Sequence, residues 1–186
     1  MSGAYGFPNR VVSEVVSELI RHDAFCKFLY YTQDEKESEI LSKPSISGAK
    51  LLNKNLFIGR RIPITLLKSG AYVTVRMSDY KPEDYNSEII KLTDVELMAI
   101  VHQDALSTLN GTRDCALVSA IIEALDKKKL GGIGNCRVVR VNDIMGLPIE
   151  YTGYKILIRV KGFPTSQIEL TRKKVNNNGG ANEWFR

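Results

Sequence analysis

The segment from Ile89 to Leu106 constrains the fold more than any other part of this 186-residue chain. Its apolar residues fall on both parities of a strand: Val95, Leu97, Ala99 and Val101 share one face, Met98 and Ile100 the other. Successive strand residues point to opposite faces, so a strand apolar on both must be covered on both sides.

The flanking sequence supplies the rest of a sheet. After a turn at Ser69-Gly70, the run Tyr72-Val73-Thr74-Val75-Arg76-Met77 alternates as a strand, and Ile62, Ile64 and Leu66 alternate around Pro63, which confines that piece to an edge. Residues 79–88, polar and containing Pro82, read as a loop. Asn110-Gly111 marks a turn and Thr112 an N-cap. Leu117, Val118, Ile121, Ile122 and Leu125 then form a helical stripe ending at Lys129. The GGIG at 131–134 stops this helix, with Gly131 or Gly132 expected at positive φ as its C-cap. Strands follow over 136–145 and 151–163, linked by Met145-Gly146-Leu147-Pro148.

Strands, one helix and further strands define an α+β class: an antiparallel or mixed β-sheet packed by the amphipathic helix 113–129. Ahead of it, Val11, Val15, Leu19, Phe25 and Phe28 mark a long amphipathic helix over 9–31. Residues 40–62 are too apolar for a free linker and too irregular for a helix, which suits an extended arm packed on another surface. The expected organisation is therefore an N-terminal helix and extended arm (1–69), an α+β core domain (70–163) and a flexible C-terminal tail (164–186). The tail carries Trp184 and Phe185 beyond an Asn/Gly linker, a pairing suited to anchoring on a partner.

Chemistry is sparsely signalled. The 26 basic residues exceed the 21 acidic ones by only five, part of that excess lying in Lys127-Lys128-Lys129, where a helix end accounts for it. No apolar run reaches the roughly 18–20 residues of a membrane span, so a soluble protein without a membrane partner is expected. Cys26, Cys115 and Cys136 are odd in number and contain no CxxC, which fits ordinary thiols rather than disulfides or a zinc site. The GGIG follows a helix, whereas a phosphate loop must precede one. His102 with Asp104, and Cys115 or a divalent metal, would be the parts of a hydrolase. So would the carboxylates Asp79, Glu83, Asp84, Asp94 and Glu96, yet neither set has the spacing of a known site. No catalytic, cofactor-binding or metal-binding residue is assigned, and the protein is not expected to be an enzyme.

Over about 70–163 the sequence resembles bacteriophage tail terminator (tail completion) proteins. The residues that carry the likeness are Val101-His102-Gln103-Asp104, Arg113, Ala124-Leu125-Asp126, Gly132-Ile133-Gly134 and Tyr151-Thr152-Gly153-Tyr154-Lys155-Ile156. The resemblance implies a structural virion protein that needs no cofactor and forms a homo-oligomeric ring, hexameric by preference. That ring would cap the tail tube, meet neck and connector proteins and let DNA pass without specific binding. It also implies a location in the virion, with assembly in the host cytoplasm. In such a ring Lys81, Glu83, Asp84, Lys127, Lys128 and Lys129, together with Trp184 and Phe185, would meet subunits or partners. The alternative is a nucleic-acid-binding module, favoured by the positive charge and the lysine cluster.

Overall fold

The doubly apolar segment forms β3 (Glu88–His102), and the sheet extends outward from it. The computed structural model describes residues 7–33, 35–59, 69–85, 88–108, 111–162 and 165–166. Among them the strands form a seven-stranded sheet in the order β1 (Leu56–Ile58), β2 (Ala71–Tyr85), β3, β8 (Tyr151–Gly162), β7 (Gly134–Asp143), β6 (Lys129–Leu130). β9 (Thr165–Ser166) pairs with the start of β3. β1 runs parallel to β2 and the remaining pairs are antiparallel, so the sheet is mixed, as the α+β class anticipates. A separate two-stranded ribbon, β4 (Ser107–Thr108) with β5 (Gly111–Thr112), leads into the following helix.

Strand parity decides what each face carries. Val73, Val75, Val95, Leu97, Ala99, Val101, Ile156, Ile158 and Val160 are buried on the inner face, beneath α1 (Phe7–Arg21), α2 (Asp23–Tyr30) and α4 (Arg113–Leu125). Val11, Val15, Leu19, Phe25 and Leu29 from the first two helices join these strand residues and Leu117, Ile121 and Leu125 in one core. Each such side chain withdrawn from water contributes about 1.5–3 kcal/mol. On the outer face Ile100 stands opposite Tyr72 and both are buried, whereas Asp94 and Met98 on the same face are only partly buried, so the expected cover on both sides is met at the Ile100 end of the strand but not along its whole length.

Two glycines of the resemblance motifs serve packing. A Cβ on Gly153 would lie 2.1 Å from the Ala99 carbonyl oxygen, and one on Gly134 would lie 2.1 Å from that of Lys161. No larger residue fits where these strands approach so closely.

Several boundaries differ from those read in the sequence. The expected helix over 9–31 breaks at His22, which has extended ψ (108°) and whose Nδ1 accepts the Phe25 N–H at 3.4 Å, capping α2. The arm is more structured than expected. It holds α3 (Glu37–Ser42), a 3-10 turn over Gly48–Lys50 and β1, anchored by the fully buried Ile40, Leu51 and Leu56. Residues 79–85 and 88 are not a loop but strand, which continues past an irregularity between Met77 and Asp79. Polar side chains conceal the strand there because they remove the alternation.

The helix expected to end at Lys129 ends at Leu125. Asp126 turns extended and accepts the Val138 N–H at 2.9 Å, and Lys127 is left-handed at φ 58°. Gly132 does have positive φ (71°), but in the β6–β7 turn rather than at a helix cap. Thr112 occupies the N-cap position without a side-chain hydrogen bond to the helix. The strand expected around Pro63 lies outside the described residues.

Candidate functional site

Of the groups that hinted at catalysis, His102 Nδ1 lies 3.3 Å from the carboxylate of the exposed Asp104, and among the described residues no third metal-ligating group joins them. His102 ends β3, and its Nδ1 accepts the Asp104 N–H at 3.2 Å, capping the 3-10 turn Gln103–Ala105, while its ring packs edge-on against Tyr151 at 5.0 Å. It shares the strand parity of Glu96, whereas Cys115 belongs to α4 on the opposite face of the sheet, so the two form no dyad. Cys115 Sγ instead lies 3.8 Å from the Tyr154 hydroxyl, and that contact pushes the phenol up to about 12. Burial raises the Cys26 thiol to about 11 and the Cys136 thiol to about 12, so both stay protonated and unreactive at neutral pH.

Asp94 and Glu96 do share the outer face, but cations close both. Arg159 grips Asp94 through two 2.8 Å hydrogen bonds, and Glu96 receives Arg76 Nε at 2.8 Å and Lys155 Nζ at 3.4 Å. Among the described residues no group of three His, Cys, Asp or Glu is placed to hold a metal. A buried cation holds the architecture together. Arg113, fully buried at the start of α4, donates to the carbonyls of Ala105 (2.6 Å), Phe28 (3.3 Å), Gln33 (2.8 Å) and Tyr31. It ties the end of α2 and the start of the arm to the end of β3, a role for which the rigid guanidinium fork is suited.

What remains exposed is surface for contact. β7 and β8 turn Arg137, Arg140, Arg159 and Lys161 outward, with Arg137 directly opposite Arg159. Beside them lies a shallow recess of about 470 Å³ that Leu92, Val138 and Val139 also line. Like charges directly opposite on neighbouring strands repel, and the Asp94 clamp on Arg159 offsets that repulsion.

The expected contact residues are scattered. Lys81 lies exposed on β2, its Nζ 3.2 Å from Asp79, and lines a small polar pocket of about 130 Å³ with Asp94 and Arg159. Glu83 and Asp84 extend the same strand opposite Ile90 and Ile89. Lys127, Lys128 and Lys129 are exposed at the far edge of the sheet, in the turn into β6. They therefore make no common site with Lys81. Trp184 and Phe185 lie outside the described residues.

The sequence reading passed over the most exposed apolar feature. In the β7–β8 loop Met145 and Ile149 are 88% and 84% exposed, although the loop backbone is held in place. Gln103 donates through Nε2 to the Ile149 carbonyl (2.6 Å) and through its N–H to that of Glu150 (2.8 Å), and Tyr151 N–H reaches Pro148 (2.9 Å). Apolar residues set in a turn between strands were the available signal. At the other edge of the sheet a groove of about 330 Å³ runs between α1 and β1–β2, lined by Val12, Ile58, Val75 and Met77.

Residues 23–160 match the family model described as YomW, a span that opens on α2 and closes within β8. A search of curated proteins finds no match. Among solved structures the chain is similar to a chain of the virion of a native gene transfer agent (GTA) particle. The TM-score is 0.54 at 12% identity, with 86% of this chain and 98% of that one covered. At this identity the likeness is one of fold.

Proposed function

The chain belongs to the YomW family, and from that premise we propose that it is a structural protein of a phage or gene-transfer-agent virion. The observation that carries this reading is the fold it has in common with a gene-transfer-agent virion chain, nearly all of which it covers. The engagement of His102, Asp94 and Glu96 in caps and ion pairs supports a role through assembly rather than catalysis. Within the particle, the sequence resemblance favours a tail terminator, a hexameric ring that caps the tail tube and meets the neck. Its basic sheet face would lie along the channel through which DNA passes, neutralising phosphates without reading bases.

Electron microscopy of particles assembled without the gene tests the terminator role. Heads and tails are expected to accumulate unjoined, with tails of uncontrolled length. Joined particles of normal tail length would overturn it. The second reading, a nucleic-acid-binding module, rests on the opposed Arg137 and Arg159 with Arg140 and Lys161 beside them. It requires binding to DNA that weakens steeply with salt and is lost in the Arg137→Ser, Arg140→Ser double variant.

A further inference from the structure

We propose that the β7–β8 loop of one copy inserts Met145 and Ile149 into the groove between α1 and β1–β2 of the next copy. This contact rests on the virion reading for its biological setting and on the chain's own geometry for its form. The loop offers apolar side chains almost wholly in water on a backbone already fixed by hydrogen bonds, so little ordering entropy would be lost on docking. The groove offers the matching feature: Ile58 is 60% and Met77 43% exposed beside Val12.

Charge agrees with shape. Asp143, Glu150 and Asp104 surround the loop, all exposed and acidic. Arg76 of the groove is paired with Glu96, so the positive charge at this edge comes from the exposed Arg10, next to the lining residue Asn9 on α1. The acid-flanked tip and the Arg10 beside the groove are complementary, which favours a second copy of this chain as the occupant. The loop joins β7 to β8 while the groove lies beyond β2 at the β1 edge, so a chain's own β7–β8 loop does not reach its own groove. Tip and groove are different surfaces. The contact is therefore head-to-tail, and repetition closes a ring or extends a filament rather than stopping at a two-fold dimer.

Cysteine cross-linking tests this in the full chain carrying Cys115→Ser, which removes the exposed native thiol. With a short bismaleimide at sub-millimolar protein, the Ile58→Cys, Ile149→Cys double variant is expected to give a ladder of covalent oligomers. A mixture of the two single variants should stop at the dimer, and adding Met145→Asp should abolish the ladder. No ladder, a ladder unaffected by Met145→Asp, or dimers of Ile149→Cys with itself would each overturn the contact. The virion reading stands or falls separately: a chain found in particles but giving no ladder refutes the contact alone. A ladder from a chain missing from particles refutes the virion reading alone.

Discussion

Arg113 shows how one side chain can fix the relation of several elements. Its guanidinium serves carbonyls from the end of α2, from the arm and from Ala105 after β3. Arg113→Met would keep much of the stem and leave the buried acceptors of Ala105 and Phe28, and the partly buried ones of Tyr31 and Gln33, without that donor, at about 1–3 kcal/mol for each buried one. A loss of at least about 3 kcal/mol in urea unfolding is expected. Asp23 gives a pH-dependent case. Hydrogen bonds with Lys27, at 2.7 Å, and with Ser45 hold its carboxyl below the ordinary carboxylate value. A depressed folded value stabilises the protein above the unfolded pKa, near 3.9, and the benefit fades as pH falls through the folded value. Asp23→Asn should therefore cost about 0.5 kcal/mol at neutral pH, a deficit that closes below about pH 4 in thermal unfolding. Arg113 stood out in the sequence only as part of a resemblance motif. Its partners are backbone carbonyls distant in the chain, and residue identity carries no signal for those.

At the scale of elements, legibility followed hydrophobic period. β3, β8 and the stripe of α4 alternate or repeat cleanly and were readable to within a few residues. The outer half of β2 was not, because Asp79, Lys81 and Glu83 leave no apolar alternation in the sequence where the strand pairs with β3. The break between α1 and α2 was hidden because the apolar stripe continues across it, and only the cap formed by His22 marks the change of direction. In sequence the β7–β8 loop reads as a link because Gly146 and Pro148 interrupt its apolar residues. Its exposure and fixed backbone make a clear element-scale expectation: Met145→Asp should leave unfolding free energy within about 0.5 kcal/mol of the parent while abolishing self-association. A large stability loss in that variant would mean that the methionine packs within its own chain.

For the whole molecule, the sheet's inner face is completed by α1 and α2 as well as by α4. A chain restricted to residues 70–163 would expose Val73, Val95 and Leu97 to water, and it is expected to aggregate or to lack a dispersed NMR spectrum. A well-dispersed spectrum from that piece would mean that the strands and α4 suffice as a domain. The proposed virion role was legible in the sequence only as a family likeness, since the surfaces proposed for assembly need no motif: a rigid apolar tip and a groove are properties of placement. Mass spectrometry of purified particles from a strain that carries the gene tests this role most directly. The chain should be present at a low, fixed copy number per particle and remain after washing with high salt. Its absence from particles that are otherwise complete would contradict the account.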